Sequence, residues 1–187
     1  MKTEWDYTDL ASAYLKRPDY SKTALEHLLK CLELPKKASV CDVGAGVAHL
    51  TLQLAAQGFD VIAVEPNNAM RELGMSRTSH LHNVRWYEGT AEQTEQLEAS
   101  FDWVTFGSSF NVVNRSLALK ETARILKPKG WFTCLWNHRH LDNPIQAKIE
   151  SIIQSYLPEY TYGSRREDQT EVINRSQLFG LVHTLEG

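Results

Sequence analysis

The seven residues Val40-Cys41-Asp42-Val43-Gly44-Ala45-Gly46 constrain the fold more than any other part of the chain. An apolar run delivers the backbone to two glycines one residue apart. Glycine has no Cβ, so the turn can be tight and another group can approach the backbone closely. Helical spacing follows over 48–57 and stops at Gly58, and a second apolar run, Phe59 to Glu65, comes next. Strand, glycine turn, helix and strand make a βαβ unit, which implies parallel pairing.

The alternation continues. Pro66 and Asn67-Asn68 open a helix that reaches Gly74 or Ser76, and a third strand spans 83–88. A short polar helix is expected at 91–97 and a fourth strand at 101–106. A helix at 115–126 is stopped by Lys127-Pro128-Lys129-Gly130, ahead of a fifth strand from Trp131 to Trp136 and a helix at 144–157. Before the first strand, residues 8–16 form a short helix that breaks at Arg17, because Pro18 disfavours helical geometry there. Residues 21–33 form a second helix, capped by Ser21. Residues 160–175 read as a loop, Ser176 to Leu181 as one or two helical turns, and Val182 to Glu186 as a sixth strand. The pattern predicts an α/β fold: a three-layer, doubly wound, Rossmann-like domain on a mostly parallel sheet. A single domain is expected, with a helical cap (1–34), a core (38–137) and a C-terminal segment (138–187).

Composition narrows the partners. At 42% hydrophobic and 23% charged residues the chain is an ordinary globular one. Its formal net charge of −3 gives little counterion release on a polyphosphate, so no nucleic-acid partner is expected. Cys31, Cys41 and Cys134 have no CxxC spacing, so neither a disulfide framework nor a zinc site is expected. The His-x-His pair at His138 and His140 has no matching third ligand, and no metal is expected. The polar start of the chain is not a signal peptide, and no apolar run approaches the ~20 residues that span a bilayer. A cytoplasmic location fits these readings.

Three segments carry chemistry. The glycine turn delivers the start of a helix, whose unpaired N–H groups suit a ligand. The same residues also serve a tight turn with no ligand. Glu65 ends the second strand, where its carboxylate can accept both hydroxyls of a ribose, or can cap the next helix. Glu88-Gly89-Thr90-Ala91-Glu92 follows the third strand, at the crevice that strand tips line in a doubly wound sheet. There the Glu92 carboxylate can accept from an adenine amino group and the Ala91 N–H can donate to the ring. A plain acid at a helix start is the alternative for Glu92.

The order Val40 to Gly46, Glu65-Pro66, Gly89 to Glu92, Phe101-Asp102-Trp103-Val104 and Ala123 to Gly130 resembles the class I S-adenosylmethionine-dependent methyltransferases. It is most similar to their small-molecule branch and covers roughly residues 10–137. The resemblance implies that Gly44, Ala45 and Gly46 pack on the methionine part of the cofactor and that Asp42 meets its ammonium group. It implies Glu65 on the ribose with Pro66 and Met70 nearby, Ala91 and Glu92 at the adenine, and Gly107 and Ser108 beside the methionine moiety. Tyr14 and Arg17 resemble cap residues that reach the cofactor. Where many members carry a third glycine, this chain has Ala48, followed by His49. The activity implied is methyl transfer to a small-molecule acceptor. Two alternatives stand beside it: a nicotinamide-dependent oxidoreductase, whose G-x-G-x-x-G/A fingerprint fits badly at His49, and an inactive S-adenosylmethionine-binding module.

The acceptor side is expected above the fourth and fifth strands. Phe110 and Asn111 would face the acceptor, or belong to a polar loop that begins a helix. His138 in Asn137-His138-Arg139-His140 is the preferred base, with Asn111 the second catalytic candidate, an exposed polar loop being the alternative there. Arg165 and Arg166 would clamp a carboxylate or phosphate on a small, anionic acceptor, or belong to a solvated loop. The family sheet has the order 3-2-1-4-5-7-6, and no residues remain here for the seventh strand. An uncovered fifth strand is an aggregation hazard. The expectation is therefore a C-terminal truncation of a longer protein, or a partner such as a second copy covering that edge. A third option pairs Val182 to Glu186 directly with the fifth strand.

Overall fold

Buried parallel strands are covered on both faces, so they are apolar throughout rather than alternating. The computed structural model, which describes residues 6–138, 140–160 and 169–184, has such largely buried strands at the centre of its sheet and more exposed ones at the two edges. They are β1 (Ser39–Val43), β2 (Asp60–Val64), β3 (Val84–Tyr87), β4 (Phe101–Gly107) and β5 (Leu126–Leu135). The sheet order is β3-β2-β1-β4-β5 and every pairing is parallel.

Helices cover both faces. α1 (Ala11–Tyr14), α2 (Lys22–Leu32), α3 (His49–Ala56) and α4 (Asn68–Thr78) precede β3; α5 (Arg115–Ile125), α6 (Pro144–Tyr156) and α7 (Thr170–Ser176) follow β4. Val40, Val61 and Trp103 point to one face and pack with Leu25, Leu32, Leu50 and Leu54 of α2 and α3. Cys41, Val43, Val104 and Phe106 point to the other, against Ala118, Leu119 and Ile125 of α5. Side chains one apart on a strand face opposite ways, so this split follows directly from the sequence. Helix starts are set by side-chain caps at Ser21, Asn67, Asn114 and Asn143, each accepting backbone N–H bonds from its first turn. Gly74 lies inside α4 rather than at its end. A Cβ there would stand 2.2 Å from the Trp86 ring, so the glycine lets α4 seat on β3.

Four expectations are corrected. Residues 91–97 are not a helix. Thr94 is held through its N–H and hydroxyl by Glu121 of α5, at 2.9 and 2.6 Å, and Glu95 is left-handed at φ 58°. Lys127 to Gly130 do not merely end a helix. They bulge within β5, which pairs Leu126 with Phe101 and resumes at Trp131 with Trp103; Lys129 takes φ 66°. Part of the loop expected at 160–175 is α7, whose Ile173 is buried and whose Val172 packs on the α5-side core. Val182 to Thr184 form no strand, and 185–187 lie outside the described residues. Among the described residues no strand pairs with the far side of β5. The Phe179 ring lies 5.2 Å from that of Phe132, on the α5-side face of the sheet.

Candidate functional site

The carboxyl ends of β1, β2 and β4 open into one cavity of about 380 Å³, roofed by the N-terminal segment. Each candidate cofactor residue lines it. Asp42, Gly44, Ala45 and Gly46 come from β1 and its turn; Glu65 and Pro66 from the β2 end and Met70 from α4; Ala91 and Glu92 from the loop after β3. Gly107 and Ser108 come from the β4 tip, and Tyr14 and Arg17 from the cap.

The turn is shaped by close approach. Gly44 and Gly46 take φ 71° and 56°, and a Cβ on Gly44 would stand 2.5 Å from that of Ser109. Ser109 Oγ donates to the Val43 carbonyl at 2.6 Å, which locks the β4 loop onto the turn. Ala48, at the position of the third glycine, is itself left-handed at φ 74°. The turn thus keeps a glycine-like conformation with a methyl group in place, and Arg77 donates to the neighbouring Val47 carbonyl.

Two buried carboxylates face the cavity. Asp42 is fully buried and Thr51 Oγ1 donates to its Oδ2 at 2.7 Å, while Oδ1 has no hydrogen-bond partner. Burial pushes this carboxyl up to about 7; the Thr51 bonds oppose the shift and the charge of Glu65 adds to it. An unpartnered buried carboxylate oxygen is costly unless something donates to it. Glu65 is different: Gly46 N–H donates to Oε2 and Asn67 N–H to Oε1, both at 2.8 Å. Burial still raises its pKa, against those two bonds and the Arg71 charge. Glu65 therefore fastens the β1 turn to the start of α4 as well as lining the cavity. Glu92 accepts from the Asn114 N–H at 2.7 Å, at the start of α5.

The acceptor-side residues are placed otherwise. Phe110 does not face the cavity and its expected role is corrected. It is fully buried, with ring centroids 5.3 Å from Phe106 and 5.4 Å from Phe132, because a large ring is best placed in the core. Asn111 accepts from the Trp136 indole at 3.3 Å, and His138 stacks on Trp136; neither lines the cavity. Arg165 and Arg166 lie outside the described residues. The sequence reading missed Tyr20 and Asn137. The Tyr20 hydroxyl bonds Ser108 Oγ at 3.1 Å, and Asn137 donates to the carbonyls of Pro18 and Asp19. Strand alternation carried a signal for Asn137. Trp131 and Leu135 pack on the α3-side core, and Asn137 continues their parity, whereas His138 shares that of Trp136. Among the described residues no group of three or more His, Cys, Asp or Glu side chains is arranged to hold a metal ion.

A doubly wound sheet with a cleft at its strand tips places the chain among α/β proteins, in which ligand clefts form at the topological switch point. Comparison with known proteins then sharpens the class. The family described as "Methyltransferase domain" matches residues 41–134, and the chain belongs to that family. The chain is 33% identical over 115 residues to a demethylmenaquinone methyltransferase of Staphylococcus haemolyticus, covering 59% of this chain and 48% of that one. It is 36% identical over 124 residues to the uncharacterized methyltransferase Mb3374 of Mycobacterium bovis, covering 66% and 48%. The chain spans about half the length of the curated relatives it matches. Among solved structures, the PH0226 protein of Pyrococcus horikoshii aligns with a TM-score of 0.57 at 26% identity, covering 72% of this chain and 60% of that one. The mmp1179 protein of Methanococcus maripaludis aligns with a TM-score of 0.71 over 95% of this chain and 84% of its own; at 19% identity it speaks for the fold. Among the described residues no helix is long and apolar enough to cross a membrane.

Proposed function

We propose that this protein transfers the methyl group of S-adenosylmethionine to a small-molecule acceptor. The observation that carries the reading is the orphaned Oδ1 of Asp42 at the floor of the cavity. An ammonium group donated there would satisfy it, and Asp42 stands beside the glycine turn where a cofactor's methionine part would lie. Glu65 would accept the ribose hydroxyls on the lone pairs its backbone bonds leave open. Met70, Ala91 and Glu92 would enclose the adenine, with the Gly107–Ser108 backbone and the cap residues Tyr14 and Arg17 closing on the other end. When bound, the cofactor supplies a methyl group already activated on a sulfonium. The chain's own task is then to hold the acceptor in line and exclude water. His138 and Asn111, lying off the cavity, are given no part in it.

Calorimetry with S-adenosylhomocysteine should show one site per chain. Binding of NAD with no response to S-adenosylhomocysteine would defeat the reading.

The Asp42 carboxyl adds a pH dependence. With its pKa raised to about 7, ligand-free Asp42 is protonated below that pH, and an ammonium must displace the proton. Affinity for S-adenosylhomocysteine should therefore be about tenfold weaker at pH 6 than at pH 8, with proton release at the lower pH. Affinity that stays flat across this range would remove the ammonium from Asp42.

A further inference from the structure

The cap segment from Tyr14 to Tyr20 is held in part through its backbone carbonyls. Asn137 Nδ2 donates to the carbonyls of Pro18 and Asp19 at 3.3 and 3.2 Å, and Gln53 Nε2 to that of Tyr20 at 2.8 Å. His49, the first residue of α3, makes two contacts at once. Its Nε2 lies 2.8 Å from the Tyr14 carbonyl oxygen and its Nδ1 2.8 Å from Asp19 Oδ1. The side chain is only 13% exposed, so water competes little for the ring nitrogens. Carbonyl and carboxylate oxygens only accept, so both bonds exist together when both ring nitrogens carry hydrogen. The ring thereby spans the segment from Tyr14 to Asp19. Between those anchors Arg17 sits with its guanidinium carbon 5.0 Å from the Tyr14 ring centroid, and both side chains line the cavity. Ala11 packs with Val47 and Met70 beneath them, with Tyr7 edge-on to Tyr14 at 5.5 Å.

We propose that His49 is a positioning residue: by holding Tyr14 and Asp19 it sets Tyr14 and Arg17 over the glycine turn, and so couples closure of the cap to cofactor binding. What Arg17 meets there rests on the function proposed above; the latch itself does not. Both ring nitrogens are engaged with the cap, so the residue acts through its neighbours and not as an acid or base.

The test uses the full chain carrying His49→Leu, Asp19→Ala or Arg17→Met. Hydrogen–deuterium exchange is followed without ligand, and S-adenosylhomocysteine affinity by calorimetry. His49→Leu should speed exchange across residues 7–20, leave the amides of α5 unchanged, and weaken binding about tenfold, as expected for lost charge-assisted bonds. Asp19→Ala should act in the same direction. In an Arg17→Met background, adding His49→Leu should cost little more, because the two act as one unit. Native exchange over 7–20 in His49→Leu would overturn the proposal, and so would additive losses in the double variant. Should His49→Leu loosen α5 as well, Asp19→Ala, at a 64% exposed side chain, decides the matter: faster exchange confined to 7–20 supports the latch and none overturns it. If the unaltered chain does not bind S-adenosylhomocysteine, the proposed function fails, while the exchange measurement still decides the latch.

Discussion

Replacing Glu65 by alanine is expected to weaken S-adenosylhomocysteine binding by roughly 2–4 kcal/mol, the loss for two hydrogen bonds to a charged group. The structure adds a second source of loss, because the same carboxylate accepts the Gly46 and Asn67 N–H groups. An analogue lacking the ribose 2′-hydroxyl separates the two. It should bind the unaltered chain more weakly than S-adenosylhomocysteine does, yet bind Glu65→Ala about as well as the parent ligand. Glu65→Gln keeps one oxygen for a backbone donor and should lose less. An unchanged affinity in folded Glu65→Ala would leave the carboxylate with the turn-fastening role alone.

Trp103→Ala should be the most damaging change away from the cavity. The side chain is fully buried at the centre of β4, edge-on to Phe59 with centroids 6.1 Å apart, and its Nε1 donates to Thr133 Oγ1 at 2.9 Å. Truncating a buried tryptophan costs about 3–5 kcal/mol. For a chain of this length that corresponds to a fall in Tm of roughly 6–20 °C. Thermal unfolding followed by circular dichroism measures it. A fall of less than ~3 °C would show that the two sheet faces repack around the void. Because β4 carries Gly107 and Ser108 at its tip, the same variant should also bind ligand less tightly.

What the sequence displayed and what it hid differ in physical kind. β1, β2 and β4 were legible because both faces are covered and most of their residues are apolar. The glycine turn was legible because two positive φ values at 44 and 46 favour glycine. With the strand tips fixed, the cofactor candidates had to converge. The loop at 91–97 was hidden, because its shape depends on Glu121, 27 positions beyond Thr94. α7 was hidden because it is short and mostly polar, with burial concentrated at Ile173. The β5 bulge was hidden inside residues that also spell a helix stop. At the acceptor side the error was one of chemistry over geometry. His138 attracted attention for its ring, while Asn137, one residue earlier, has the parity that reaches the cap.

Four of the bonds that seat the cap end on the carbonyl oxygens of Tyr14, Pro18, Asp19 and Tyr20. Every amino acid carries that oxygen, whatever its side chain. Their partners, His49 and Gln53 of α3 and Asn137 just after β5, are by contrast particular residues. Heritable variation therefore falls unequally on the two sides of the contact. At exposed cap positions such as Leu15 and Lys16, new side chains can arise without unseating the segment. The cap can thus explore new surface chemistry one mutation at a time, with part of its docking carried by backbone groups that its own substitutions do not remove.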